Sequence, residues 1–172
     1  MLSEVIAYAG DCRIIGTITF AEDERLSDVL NESELLFVTD ARLISHADGH
    51  EVDVDELRIE RDELFAIEAV GSRGSVYKRI HTVKHRLEVH LGPYTVLGHL
   101  HARPGSDPLL SMGRRPSMIP LTNATIAYNG PDGVDARDVD TLIVNRDVAD
   151  WVRADESDLA VFEGVPVAAP AV

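Results

Sequence analysis

Three blocks of this sequence occur twice, in the same order, and that repetition limits the fold more than any other feature. Gly10-Asp11-Cys12-Arg13-Ile14-Ile15-Gly16-Thr17-Ile18 aligns with Gly92-Pro93-Tyr94-Thr95-Val96-Leu97-Gly98-His99-Leu100, a shift of 82. Phe37–Leu43 aligns with Pro120–Ile126 at a shift of 83, and Val54–Asp62 with Val139–Asp147 at a shift of 85. One such match carries little weight. Three collinear matches with slowly drifting spacing point to a tandem duplication. The expected organisation is a first unit over 1–70, a basic linker over 71–84, a second unit over 85–155 and a flexible C-terminal tail over 156–172.

Each unit reads as strand. Val5, Ala7 and Ala9 alternate with Glu4, Ile6 and Tyr8, and Cys12, Ile14, Gly16, Ile18 and Phe20 alternate with Arg13, Ile15, Thr17 and Thr19. A period of two marks a strand with one face toward a core. Gly10-Asp11 and Gly92-Pro93 are tight turns. Gly16 and Gly98 interrupt apolar runs, as bulges and sharp bends do. RLSDVLN carries Leu26, Val29 and Leu30 at helical spacing, with Ser27 of the type that caps helix N-termini. Its counterpart DPLLSMGRRPSM contains Gly113 and Pro116 and is expected to be a loop. LRIE, a tight turn at Arg61-Asp62-Glu63 and LFAIEAV close the unit. The fold class expected is mainly β: two tandem, small, five-stranded barrels, each with at most one short helix.

Five short strands, a glycine-bent second strand and a closing strand pair around RIERDELFAI resemble the Sm/Lsm-like small β-barrel, with an SH3-like barrel as the alternative. TDARLI looks like that fold's middle strand. The RLSDVLN segment also resembles a bacterial family of unknown function. In Sm/Lsm proteins the closing turn carries a basic residue that helps hold RNA. The matching positions here are Glu60 and Asn145, and the turn glycines are replaced by Arg61 and Arg146. The resemblance therefore implies the fold and not the RNA site.

Charge is segregated along the chain. The net charge is −14, but residues 1–70 hold 5 basic and 18 acidic side chains, residues 71–130 hold 8 and 2, and residues 131–172 hold 3 and 10. The total disfavours general nucleic-acid binding, which needs a basic footprint. No apolar run approaches the roughly 20 residues of a membrane span. MLSEVIAYAG lacks the basic start of a signal peptide. The single cysteine, Cys12, forms no internal disulfide and reads as a small strand hydrophobe; a cytoplasmic location is the default.

The histidines of YTVLGHLHA fall into place if Gly92-Pro93 closes a hairpin. His90 then lies opposite Thr95, Arg86 opposite His99 and Lys84 opposite His101, all on the face away from Leu87, Val89, Val96 and Leu100. No acid or cysteine converges there with three or four ligands, as zinc would need. Three readings remain: solvated strand surface, metal or small-ligand binding, and a basic, titratable binding face of Lys84, Arg86, His99, His101 and Arg103. The first unit offers an acidic counterpart in Asp53, Asp55, Glu56, Glu60, Asp62 and Glu63. Opposite charge on two parts of one chain favours head-to-tail association into a ring or filament.

Catalytic signals are weak. Ser27 and Asp28 with His46 or His50 lack a nucleophile elbow, and GSRGS lacks the lysine of a phosphate loop. The expected function is that of a non-enzymatic interaction or scaffold protein, a homo-oligomer or the binder of a protein partner, without a cofactor or membrane. The alternatives are an RNA-binding module using Arg73, Lys78, Arg79, Lys84, Arg86, Arg114 and Arg115, and small-ligand or metal binding at the histidine face.

Overall fold

The computed structural model describes residues 1–70 and 82–155. Two short hairpins set the pattern. Strands β1 (Leu2–Ala9) and β2 (Cys12–Thr19) meet through Gly10-Asp11, and β6 (Val83–Leu91) and β7 (Tyr94–Ala102) through Gly92-Pro93. In each turn the first residue is a glycine at positive φ, +47° and +54°. Two-residue loops of this kind match the right-handed twist of the strands they join. The remaining elements are α1 (Leu26–Glu32), β3 (Leu35–Ser45), β4 (Glu51–Glu60) and β5 (Leu64–Ala69), then α2 (Pro108–Gly113), β8 (Met118–Gly130), β9 (Gly133–Asn145) and β10 (Trp151–Ala154).

The chain is mainly β, as expected, but the strands do not separate into two closed barrels. All ten are hydrogen-bonded in one antiparallel sheet that does not close, in the order β10-β6-β7-β8-β9-β5-β1-β2-β3-β4. The physical reason is the β9–β5 pair, where Val144, Ile143 and Leu142 lie opposite Ala66, Ile67 and Glu68. This pairing joins the halves edge to edge. Within each half the order is the same, with β5-β1-β2-β3-β4 matched by β10-β6-β7-β8-β9. Equivalent register pairs, Ala9–Cys12 with Leu91–Tyr94 and Leu35–Glu60 with Met118–Asn145, keep the offsets of 82, 83 and 85.

Two cores lie on opposite faces of the seam strands. Val5 and Ala7 of β1 pack into one and Ile6 and Tyr8 into the other; Ile143 of β9 joins the first, Leu142 and Val144 the second. Neighbouring residues of a strand point to opposite faces, so a strand shared by two cores must be apolar on both. That explains VIAYA and LIV, runs without the polar alternation of an ordinary half-buried strand.

The bends at Gly16 and Gly98 occur as the sequence suggested. Pairing slips there by one residue, with Asp40-Ala41 and Asn123-Ala124 opposite a single glycine. Asp40 (φ 50°) and Asn123 (φ 45°) supply the left-handed residue of each bulge. A Cβ on Gly16 would lie 2.4 Å from Val38 Cγ1 and 3.0 Å from the Thr39 carbonyl.

Both short helices differ from expectation. α1 begins one residue before Ser27, so Arg25 occupies the cap position and Ser27 sits in the first turn. The segment read as a loop forms α2, capped by Asp107, whose carboxylate accepts from the Leu109 and Leu110 amides, with Pro108 in the first turn. Arg61 and Arg146, the residues at the glycine positions of the closing turn, explain why these helices persist. Arg61 donates to the carbonyls of Leu30 and Asn31, and Arg146 to those of Met112 and Gly113. Each guanidinium thus satisfies carbonyls left open at a helix C-terminus.

Two asparagines fasten the seam. Asn31 of α1 holds both backbone groups of Met118, accepting from its amide (2.9 Å) and donating to its carbonyl (3.0 Å). Asn145, fully buried at the end of β9, donates to the carbonyls of Arg61 and Leu64 and accepts from the Asp147 amide. Asn145→Ala leaves two carbonyls without that donor, and a loss of about 1–3 kcal/mol is expected in urea unfolding; Glu60→Ala, at the exposed equivalent position, should stay within about 0.5 kcal/mol.

Candidate functional site

The histidine hairpin has the anticipated register: Lys84 opposite His101, Arg86 opposite His99 and His90 opposite Thr95. Leu87, Val89, Val96 and Leu100 are fully buried on the other face. Lys84, Arg86, His99 and His101 therefore share the outer face, and Arg103 follows just beyond β7. The face is not freely solvated. His101 contacts Thr122 Oγ1 at 2.7 Å and Thr82 Oγ1 at 3.3 Å, and its carbonyl accepts from Arg115. Among the described residues no group of three or more histidine, cysteine or acidic side chains is placed to hold a metal.

Strand β10 adds an arginine, and the residues on either side of it add two acids, that the hairpin alone did not reveal. Asp155 lies 3.5 Å from Arg86, Glu88 pairs with Arg153, and Asp150 takes His90 Nδ1 at 3.1 Å. Asp150 also accepts from the Gly92 amide at 2.9 Å. That bond, with the one from His90, holds its carboxyl below the usual range. The Trp151 ring stacks on His90, centroids 5.2 Å apart. This edge is therefore a mosaic of both charges with an exposed indole, rather than a uniformly basic patch.

The acidic residues occupy the other end of the sheet. Asp53, Asp55, Glu56 and Glu60 lie on the edge strand β4, and Asp62 and Glu63 on the 3-10 turn that follows it. All six are exposed. Arg42 holds Asp53 at 2.8 Å and approaches Glu51 at 3.8 Å. The two candidate faces are thus brought to opposite edges of one sheet. Of the cations in the nucleic-acid reading, Arg73, Lys78 and Arg79 lie outside the described residues. Arg115 is half-buried, and burial lowers its pKa.

Sequence reasoning missed a cluster at the seam. Tyr8 and His46 from the first half meet Tyr94 and Tyr128 from the second around a cavity of about 230 Å³. His46 stacks on Tyr128 at 4.0 Å between centroids, and its Nε2 lies 2.9 Å from the Tyr94 hydroxyl. That hydroxyl donates to the Cys12 carbonyl, so the pattern fits a neutral imidazole with Nε2 as donor. The available signal was rarity: the chain has four tyrosines, and three of them line this cavity.

Burial, followed by the nearby Arg13 charge, lowers the His46 pKa. Its protonation is then easier in the unfolded chain. The stabilisation is complete above pH 6.5 and declines as the pH falls below it. The His46 ring protons, followed by NMR, should titrate with a midpoint below 6.5; a midpoint at or above it would contradict the geometry.

Among the described residues no helix is long and apolar enough to cross a membrane. Comparison of the chain with protein-family models, curated proteins and solved structures gives no match.

Proposed function

We propose that the chain is a non-enzymatic interaction protein that self-associates head to tail through its two sheet edges. Its halves are, on this reading, duplicated copies of one Sm-like β-unit. The observation that carries the proposal is the internal seam. Strand β9 of one half pairs with β5 of the other, and the equivalents of these two strands, β4 and β10, are the unpaired edges of the sheet among the described residues. The register offsets turn this into a definite arrangement. Ala66, Ile67 and Glu68 correspond to Trp151, Val152 and Arg153, while Leu142, Ile143 and Val144 correspond to Leu57, Arg58 and Ile59. A second copy docked as the halves are docked places Val152 opposite Arg58 and Trp151 opposite Ile59.

Charge and exposure support this pairing. β4 carries five acids and one arginine, whereas β10 carries Arg153 beside the Lys84, Arg86, His99, His101 and Arg103 face. The internal seam has the ion pair Arg137–Glu68 at 3.2 Å. At the outer edges Arg153 stands where Glu68 stands in the seam, and Val52, between the acids Glu51 and Asp53, stands where Arg137 does. Trp151 and Val52 leave 42% and 45% of their surface exposed on the edge strands, and Phe37, on the strand next to β4, leaves 49%. Open edges that expose backbone donors and apolar side chains are templates for strand addition. Because the contact is heterologous, it closes as a ring or continues as a filament according to its rotation angle.

Light scattering should show an oligomer whose molar mass falls with dilution and with added salt, which screens exposed charge pairs. Val152→Pro removes an edge amide and should give a monomer; because Val152 also packs against the second core, thermal unfolding checks that the variant still folds. Arg153→Glu should weaken association, and Asp53→Arg with Asp55→Arg should restore it. A wild-type monomer at all concentrations, or an oligomer indifferent to all of these changes, would reject the reading.

A further inference from the structure

The seam cavity is more elaborate than a junction requires. The first half contributes Tyr8, Arg13 and His46 to its walls, and the second contributes the larger share, including Tyr94, Tyr128 and Arg137. Register equivalence shows that the repeat does not dictate these residues. Tyr94 corresponds to Cys12, Tyr128 to Ser45, and Tyr8 to His90. The three tyrosines are thus particular to this seam: none of the equivalent positions holds a tyrosine.

Two buried donors in the walls reach no acceptor. Tyr8 is 4% exposed, and its hydroxyl lies beside the Arg137 guanidinium, which can only donate to it, so the hydroxyl proton is left without an acceptor. Arg13 Nε is likewise buried and unpartnered. A buried donor without an acceptor costs about 1–3 kcal/mol, so such atoms are uncommon unless something else meets them. Arg137 is balanced by Glu68, which leaves Arg13 as the cation facing the cavity, with Asp135 at the exposed rim.

These features specify a ligand class. The two donors call for an oxygen acceptor, the Arg13 charge favours an anionic one, and the tyrosine walls favour a flat ring. The volume, about 230 Å³, lies below the roughly 300 Å³ at which sites for drug-sized molecules begin. We propose that the seam cavity binds a single-ring aromatic carboxylate, its ring among the tyrosines and its carboxylate on Arg13 Nε and the Tyr8 hydroxyl. The site lies within one chain and does not depend on association between copies.

The test uses the full chain, with benzoate and 4-hydroxybenzoate as probes and acetate and benzyl alcohol as controls that lack the ring or the charge. Tyrosine ring resonances should shift saturably with either carboxylate, at least roughly tenfold more tightly than with either control. Arg13→Gln should weaken binding roughly tenfold or more, as expected for loss of a charged hydrogen bond, and Tyr8→Phe by several-fold. Thermal unfolding identifies any variant that fails to fold, and Arg13→Lys, which keeps the charge but loses Nε, then serves in its place. No saturable shift with either carboxylate would overturn the proposal. So would equal binding of acetate, or binding unchanged in both Arg13 variants.

Discussion

The pairing of Ala66, Ile67 and Glu68 with Val144, Ile143 and Leu142 makes two small β-units one sheet. It is short, and backbone hydrogen bonds alone would contribute little net stability in water. Its strength comes from position. Ala66, Ile67, Ile143 and Val144 are at most 4% exposed and divide between two cores on opposite faces. Parting the strands would open both cores at once. Asn31 and Asn145 add side-chain bonds across the same line, so the halves are coupled through apolar burial, ladder pairing and polar fastening together.

This coupling determines what the rest of the molecule presents. Because one end of each half is consumed at the seam, the remaining ends become the outer edges of a ten-stranded sheet. The acidic strand is carried to one edge and the histidine hairpin with Trp151 and Arg153 toward the other. The seam also makes a place that neither half contains alone, the tyrosine-lined cavity. The two halves differ there: where the first has Cys12 and Ser45, the second has Tyr94 and Tyr128 at the equivalent register positions.

Much of the local structure was legible because it follows from neighbours in sequence. The turn at Gly92-Pro93 has two residues, which fixes every cross-strand partner from Lys84 to His101. Gly16 and Gly98 sat where apolar runs broke, and the bulges are there. The fused sheet was not legible. The β9–β5 pair joins segments some 75 residues apart, and two apolar pairs beside Glu68–Leu142 leave no pattern distinct from ordinary buried strand. Helix α2 was obscured by Gly113 and Pro116, although Asp107-Pro108 is a good helix start. Arg61 and Arg146 looked like departures from a turn motif; their role is visible only once the helix carbonyls stand beside them. Tyr94 and Tyr128 are cross-strand partners within the second half, but Tyr8 and His46 looked unrelated to them because that meeting depends on the seam.

The most direct test of the edge-to-edge account is covalent. Val152→Cys and Arg58→Cys, combined in one chain with Cys12→Ser, place two thiols at opposite edges of the same sheet. Cross-strand neighbours bring Cβ atoms within reach of a disulfide only if two copies meet in the register of the internal seam. Mild oxidation of dilute protein should then give a ladder of linked chains, or one closed species of defined mass, reversible by reductant and absent from either single-cysteine variant beyond the dimer. Protein that remains monomeric on a denaturing gel under those conditions would contradict the account.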